Sequence, residues 1–253
     1  MPLSHDEALL LVFHAELAAQ PTTPRDHRPH RKGRAMTKVL GDDFSQGKGA
    51  KAAPNWKVLS LGSGHWTQKP AEAFADGIVF AFGTTPDPRL FLTTHPGSGL
   101  LGDLTGKTLT ATITITGTAT AFADFFGGGT PTDPTANAAC PTPASVRLYF
   151  EDSTNGPFTP DTAGWSRQWW STPQAYTLTS LVGNILTLTV PLDTANWSNR
   201  GFELASDVPT DFAAAVATVG AVGVSFGGGC FLPTGSMPTD GTASFVLKSY
   251  SVS

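Results

Sequence analysis

The sequence has 253 residues, of which 40% are hydrophobic and 14% are charged, and its formal net charge is −4. This length suits one large domain or two smaller ones, and the many Gly and Pro residues favour strands and turns over helices. The weak negative charge gives no reason to expect nucleic acid or an anionic membrane as a partner of the main body.

Residues 1–35 differ from the rest of the chain. They hold four of the six histidines and a basic cluster made of Arg25, Arg28, Arg31, Lys32 and Arg34. Three interpretations are open: a basic arm that binds a polyanion, a disordered solvated tail, or a segment that precedes a true start at Met36. Residues 36–253 are predicted to form a single domain.

The apolar runs of the sequence bear on membrane spanning and on export. No apolar run approaches the roughly 18 residues that a membrane-spanning helix needs. Residues 8–13 are apolar, but this stretch is short and follows Asp6 and Glu7 instead of a basic segment. The sequence therefore predicts neither a membrane span nor a signal peptide.

The first half of the main region predicts short strands separated by Gly and Pro. Residues 41–44 fit an edge strand or a loop, and residues 56–61, 77–83 and 90–94 fit strands. The clearest strand covers residues 108–116, in which four apolar residues alternate with five threonines. This period of two predicts an apolar inner face and a threonine outer face.

The second half predicts strands at residues 145–151, 176–181 and 185–190, the last two on either side of a turn at Gly183 and Asn184. Residues 185–190 carry apolar side chains at both parities, which predicts burial on both faces of that strand. The segment 197–201 is predicted to be a loop.

The last third predicts one helix and two closing strands. Residues 210–218 carry apolar side chains at helical spacing, and residues 219–226 and 243–252 fit strands joined by a loop rich in Gly and Pro. Together the elements predict an all-β fold, a jelly-roll β-sandwich of two antiparallel sheets with one short helix at about residues 210–218.

The two cysteines, Cys140 and Cys230, each follow an aromatic-Gly-Gly-Gly sequence. A disulfide between them would close a long loop and stabilise the fold by restricting the unfolded chain. Two buried free thiols are the open alternative. A zinc site is disfavoured, because neither cysteine has the nearby histidine ligands that zinc needs.

The segment 152–174 concentrates aromatic side chains among polar ones. Trp165, Trp169 and Trp170 can form a stacking platform for a pyranose ring, with Arg167 and Asp161 as hydrogen-bonding groups beside it. The alternative is that these tryptophans belong to the core, since Trp is highly buried on average and adjacent strand residues point to opposite faces.

Calcium is the second candidate ligand. Asp42, Asp43 and Asp240 lie in or beside turns that contain glycine, and Ca²⁺ takes oxygen ligands from such segments. No EF-hand spacing is present, and turn aspartates commonly accept hydrogen bonds from their own backbone instead. We therefore predict no cofactor other than a structural calcium ion at these residues.

Catalysis has little support in the sequence. A glycoside hydrolase needs two facing carboxylates, for which Glu151 and Glu203 are available, but nothing in the sequence brings them together. Beyond residue 35 the histidines are His65 and His95, and no G-x-S-x-G nucleophile motif accompanies them. The chain is therefore predicted to be non-catalytic.

Several segments together resemble a known group of sandwich domains. They are residues 145–150, 169–171, 195–198, 212–217, 222–231 and 242–252, of which Phe-Gly-Gly-Gly-Cys-Phe at 226–231 is the most specific. The pattern resembles jelly-roll β-sandwiches of the carbohydrate-binding-module and galactose-binding-like type, and looks most like bacterial proteins of that shape with no assigned activity. The resemblance implies a fold, a glycan-binding role and an extracellular or cell-surface setting, and it carries over no catalytic residue.

The leading hypothesis is a protein that binds a glycan or another surface polymer without catalysis. A structural or assembly role, for instance as a surface or virion component, is the first alternative. A glycoside hydrolase that uses Glu151 and Glu203 is the second. The oligomeric state is left open by the sequence.

Overall fold

A computed structural model of the chain describes eleven stretches of the sequence. They are residues 40–43, 51–62, 65–74, 77–83, 89–93, 98–124, 145–154, 167–172, 177–201, 203–227 and 236–253. All of them belong to one compact unit, Lys38–Ser253. The basic N-terminal segment and both cysteines, Cys140 and Cys230, lie outside the described residues, so the predicted arm and the predicted disulfide stay predictions.

Within the described stretches the chain forms fourteen strands and two helices. The strands are β1 (Leu40–Asp43), β2 (Lys51–Gly62), β3 (His65–Phe74), β4 (Gly77–Ala81), β5 (Arg89–Thr93), β6 (Thr108–Gly117), β7 (Phe122–Asp124), β8 (Ser145–Asp152), β9 (Gln168–Ser171), β10 (Ile185–Pro191), β11 (Trp197–Asn199), β12 (Val219–Gly227), β13 (Ser236–Pro238) and β14 (Ala243–Val252). The helices are α1 (Leu178–Leu181) and α2 (Pro209–Val216). The predicted all-β class is confirmed.

Twelve of the described strands join in one antiparallel sheet. Their order is β10-β6-β14-β4-β3-β2-β5-β12-β8-β9-β11, and β1 pairs with β14 beside this path. Strands β7 and β13 form a separate pair. The last strand, β14, lies between β6 and β4, so the sheet is held together by pairings between distant parts of the chain.

The long sheet folds over on itself to make the two layers of a sandwich. Strands β4 and β12 are four steps apart in the strand order, which is about 19 Å along a flat sheet. Nevertheless the ring centroids of Phe80 in β4 and Phe226 in β12 are only 5.3 Å apart. Trp56 of β2 and Tyr250 of β14 meet in the same way at 5.5 Å. The core therefore lies between two layers of one continuous sheet.

Strand β6 has the amphipathic pattern that its sequence predicts. Its four apolar residues between Leu109 and Ile115 are fully buried. On the outer face the hydroxyl of Thr110 donates to that of Thr189 in β10 over 3.4 Å, and Thr112 and Thr187 are hydrogen-bonded at 3.2 Å. The apolar face thus packs into the core while the threonine face remains outside.

Two predicted elements differ from the observed ones. Residues 176–181 are predicted as a strand, but Leu178–Leu181 form the single helical turn α1, because the Thr177 side chain accepts a hydrogen bond from Ser180 N and caps it. The predicted loop at residues 197–201 instead contains β11, which pairs with β9 and buries the Trp197 ring in the core.

Strand β10 also differs from its prediction. Burial on both faces is predicted, yet β10 lies at the end of the strand order and only one of its faces is covered. Leu188 and Val190 are buried, whereas Ile185 is 66% exposed. Ile185, which alternates with the buried residues, therefore faces solvent and does not belong to a second buried face.

The predicted short helix is confirmed as α2, and it packs against the β8–β9 part of the sheet. Pro209 begins the helix, a position where its fixed φ and missing N–H are tolerated. The Phe212 ring lies 5.0 Å from the Trp169 ring and 5.9 Å from the Phe150 ring. None of the helices in the described part of the chain is long and apolar enough to cross a membrane.

Candidate functional site

The two adjacent tryptophans of β9 lie on opposite sides of the sheet. Trp169 is 0% exposed and stacks on Phe150 in the core, with 6.3 Å between the ring centroids. Trp170 points to the other side, where its ring lies 5.1 Å from that of Tyr149. Side chains alternate along a strand, so the two indoles do not form one platform. Trp169 therefore offers no surface to a ligand.

The other residues of the predicted platform are placed as follows. Arg167 is 29% exposed, and its Nε lies 3.9 Å from Asp152 Oδ2. Trp165 and Asp161 lie outside the described residues. The structure thus places Trp170 alone, among the described tryptophans of this segment, on the side away from the core.

Trp170 belongs to a set of buried side chains on the outer side of strands β12, β8 and β9. The strand registers place these side chains on one face, opposite to the core. We call this set the polar face; its members are Arg147, Tyr149, Glu151, Gln168, Trp170 and Ser225. Polar side chains are seldom buried unless they are hydrogen-bonded or serve a function.

Strand β8 supplies half of the polar face because its outward positions are large and polar. Val146, Leu148 and Phe150 point into the core, and the residues between them point outward. The outward positions of the neighbouring β12 are small, namely Ala221, Gly223, Ser225 and Gly227. The large polar side chains of β8 thus lie directly beside small residues of β12.

Tyr149 and Glu151 form the electrostatic centre of the polar face. The Tyr149 hydroxyl donates a hydrogen bond of 2.8 Å to Glu151 Oε2. Burial raises the pKa of Tyr149 well above its ordinary value, and the negative charge of Glu151 and this hydrogen bond raise it further. The positive charge of Arg200 and a hydrogen bond with Gln168 act in the opposite direction. Tyr149 thus stays protonated and acts as a donor at neutral pH.

Arg200 extends the polar face to the edge of the sheet. It follows β11, the last strand in the order, and it is half-buried. Its backbone N–H donates to Gln168 O at 3.1 Å, and its Nη1 donates to Gln168 Oε1 over a long 3.5 Å. The polar face therefore reaches solvent along the β9–β11 edge.

The buried atoms of the polar face include two donors that have no hydrogen-bond partner among the residues that the structure describes. They are Trp170 Nε1 and Ser225 Oγ, in side chains that are 4% and 0% exposed. A buried polar atom without a partner costs about 1–3 kcal/mol, so such atoms call for an explanation. A ligand that supplies hydrogen-bond acceptors would provide one.

The sequence does not predict most residues of the polar face as a site. Residues 145–151 are predicted as a strand, but the alternation of Arg147, Tyr149 and Glu151 reads as an ordinary solvent-facing side. Ser225 and Arg200 carry no motif. The sequence signal that could have found the face is the repeated large polar residue in β8 opposite the repeated small residue in β12.

The predicted calcium ligands do not come together. Asp42 and Asp43 pair with Tyr250 and Ser249 near the end of β14, whereas Asp240 lies in the turn before its first residue. At about 3.3 Å per residue, Asp43 and Asp240 are about 20 Å apart along the strand. In the part of the chain that the structure describes, no group of three or more acidic, His or Cys residues can hold a metal ion.

The Asp240 carboxylate accepts hydrogen bonds from two residues of another turn, Thr120 and Ala121. It accepts hydrogen bonds from Thr120 N at 2.8 Å and Ala121 N at 3.1 Å, and a further short one from the Thr120 hydroxyl. The hydrogen bond from the Thr120 side chain, followed by those from the two backbone N–H groups, lowers the pKa of Asp240. This carboxylate fastens one turn to another.

The two carboxylates considered for hydrolysis are held on different sides of the sheet. Glu151 belongs to the polar face and receives the Tyr149 hydroxyl. Glu203 accepts a hydrogen bond of 2.7 Å from Asn199 Nδ2, and Asn199 is paired with the core-facing Trp169. Opposite residues in an antiparallel pair share a face, so the arrangement does not favour a two-carboxylate hydrolase.

Similarity to known proteins is found in the structure and not in the sequence. The sequence matches no protein-family model, and no curated protein matches it. Similar solved structures include a xylan-binding module, CBM15, at 17% identity and a TM-score of 0.42, with 85% of this chain and 94% of that chain covered. The L4b domain of human laminin alpha-2 has 10% identity and a TM-score of 0.42, with 82% and 99% covered.

A third similar structure is Xylanase10C (mutant E385A) from Cellvibrio japonicus in complex with xylopentaose. Its identity is 14% and its TM-score 0.37, with 80% of this chain and 27% of that chain covered. Similar solved structures thus include a carbohydrate-binding module, the type of domain that the sequence resembles. Identities below 20% with TM-scores below 0.5 transfer no residue role, ligand or partner to this chain.

Proposed function

We propose that this protein binds carbohydrate at the polar face and catalyses no reaction. The observation that carries the proposal is that Trp170 Nε1 and Ser225 Oγ, beside the Tyr149–Trp170 ring pair, are buried without a hydrogen-bond partner among the described residues. Sugars offer many hydroxyl acceptors together with apolar C–H surfaces, and small-ligand sites combine aromatic walls with a few placed polar groups. This composition fits the polar face.

The polar groups of the face suit binding better than bond cleavage. The Glu151 carboxylate already accepts the Tyr149 hydroxyl, and burial keeps that hydroxyl protonated. No second carboxylate of the described residues faces Glu151 from this side, whereas glycoside hydrolysis needs a carboxylate pair across the scissile bond. Hydrogen-bond donors held in place without a pair of facing carboxylates suit a binding site better than a hydrolytic one.

The test removes one unpartnered donor at a time and measures retention on a glycan array. Trp170→Phe keeps a ring against Tyr149 but removes Nε1–H, and Ser225→Ala removes the hydroxyl. Each change removes about one hydrogen bond to the ligand, about 1 kcal/mol, so we expect binding about fivefold weaker. The melting temperature reports whether the fold is retained.

A matched control is available in β13. Ser236 also has a buried Oγ without a partner among the described residues, but it lies outside the polar face, so Ser236→Ala should bind like the wild type. The proposal is wrong if the wild type is retained by no glycan of a broad array. It is equally wrong if Trp170→Phe and Ser225→Ala both bind as tightly as Ser236→Ala.

Self-assembly is a second candidate function, and one observation favours it. Strand β10 lies at an end of the strand order, and its sequence from Ile185 to Pro191 contains no charged residue. Unpaired strand edges without charges tend to pair with another chain. Light scattering across a concentration series tests whether copies of the chain associate through this edge.

A further inference from the structure

We propose that the sugar bound at the polar face carries a carboxylate, which the Arg200 guanidinium receives at the edge of the sheet. The inference rests on the proposed function, because it names the class of carbohydrate that the same site takes. It distinguishes acidic glycans, built from uronate units, from neutral glycans.

The first argument is the weak engagement of Arg200. Its side-chain hydrogen bond to Gln168 Oε1 is 3.5 Å long, at the limit of such a bond. Within the described part of the chain, no carboxylate forms an ion pair with this guanidinium. A guanidinium presents five N–H donors in a planar fork that matches a carboxylate with two parallel hydrogen bonds. Arg200 therefore retains most of its donors for a ligand.

The second argument is the position of Arg200. It is half-buried and follows the edge strand β11, so a ligand can reach it from solvent. It also lies close enough to Tyr149 for its charge to act on that hydroxyl. A carboxylate bound to Arg200 would therefore hold its sugar ring at the entrance to the Tyr149–Trp170 pair.

The third argument is the balance of donors and acceptors. Trp170 Nε1 can only donate, and Ser225 Oγ can donate as well. The Glu151 carboxylate of the face already accepts a hydrogen bond from the Tyr149 hydroxyl. A carboxylate is an acceptor at both oxygens, so a uronate complements this set better than a hydroxymethyl group does. Charge-assisted hydrogen bonds are also about twice as strong as neutral ones.

The experiment compares two oligosaccharides of equal length and linkage by isothermal titration calorimetry with the full chain. One is an oligogalacturonate and the other is its carboxyl-reduced, neutral counterpart. We expect the wild type to bind the acidic oligosaccharide about tenfold more tightly at low salt, since a hydrogen bond to a charged group exceeds a neutral one by about 1–2 kcal/mol. Added salt should reduce this preference.

Variants assign the preference to Arg200. Arg200→Gln should bind both oligosaccharides with equal affinity, and Arg200→Lys, which keeps the charge but not the fork, should retain part of the preference. Lys107→Gln removes one exposed positive charge elsewhere and should behave like the wild type. Because Arg200→Lys conserves charge and length, it keeps the test decisive if Arg200→Gln unfolds.

The outcomes separate this inference from the proposed function. Equal binding of both oligosaccharides by the wild type overturns the inference and leaves carbohydrate binding intact. A preference that survives in Arg200→Gln also overturns it, because another group must then receive the carboxylate. If neither oligosaccharide nor any glycan of the array is bound, the proposed function fails and the inference fails with it.

Discussion

Several side chains in this protein have partners that the local sequence does not reveal. Asp240 looks like a calcium ligand in a glycine-containing turn, but its carboxylate fastens residues 120 positions earlier in the chain. Trp169 and Trp170 look like a pair, but alternation along β9 sends one ring into the core and the other to the polar face. At this scale, residue identity predicts the chemistry of a group and the fold selects its partner.

The Asp240 hydrogen bonds predict a pH-dependent contribution to stability. Because the pKa of Asp240 is lowered in the folded protein, its stabilisation is complete above the unfolded value of about 3.9 and is lost as the pH falls through the folded value. Asp240→Ala should therefore melt below the wild type at pH 7, and the gap should shrink below about pH 4. Thermal melts at both pH values measure it.

Asp207→Ala is the control for this prediction. From the described residues its carboxylate accepts a single long hydrogen bond, 3.4 Å from the neighbouring Ser206 hydroxyl. This variant should melt near the wild type at both pH values. A gap between Asp240→Ala and the wild type that is the same at pH 3 and pH 7 would contradict the linkage to the Asp240 carboxyl.

The edge strand β10 has few features that would prevent it from pairing with another chain. On one side it pairs with β6, and its outward residues Ile185, Thr187 and Thr189 are exposed. Natural edge strands usually carry charges, bulges or prolines that prevent pairing with another chain. Up to its last residue, Pro191, β10 has strongly β-favouring residues and no charge. This strand is the place where a second copy would add to the sheet.

We expect the wild type to self-associate as its concentration rises, and Thr187→Lys to weaken this association. A lysine on an edge strand opposes strand pairing because its charge would be brought against the partner. Thr194→Lys places the same charge in an exposed turn after β10 and should associate like the wild type. Light scattering across a concentration series measures it. A wild type that stays monomeric throughout would exclude assembly through this edge.

At the scale of the whole molecule, an aromatic cluster closes the sandwich. The ring of Phe226 in β12 lies 5.3 Å from that of Phe80 in β4 and 4.7 Å from that of Phe245 in β14. Strands β4 and β14 are neighbours and β12 is distant from both in the sheet order, so the cluster is where the two layers meet. Offset and edge-to-face aromatic contacts add to the burial of such large side chains.

Phe226→Ala should therefore cost about 3–5 kcal/mol of unfolding free energy, as for other fully buried phenylalanines. Ile185→Ala removes an exposed apolar side chain and should change stability by less than about 0.5 kcal/mol. Denaturant unfolding of both variants measures the two values. A loss for Phe226→Ala no larger than that for Ile185→Ala would mean that this cluster does not hold the layers together.

The amino-acid sequence alone predicts the fold class and most strands of this protein. The period of two in β6 assigns inner and outer faces without any knowledge of the partners, and the helical spacing of α2 does the same. It failed where a long-range contact overrides a local pattern. Trp197 joins β11 to the sheet because the core accepts its ring, and Ile185 remains exposed because no described strand covers β10.

The candidate site, in contrast, arises from contacts between strands that no local pattern predicts. The polar face exists because β8 lies between β12 and β9, strands contributed by separate parts of the chain, and because Arg200 meets Gln168 across 32 positions. A pattern along one strand records which side a residue faces, but not which strands lie beside it or whether that side is buried. Strand order depends on the sum of many non-local pairings, so chemistry that arises between strands becomes visible only in the folded chain.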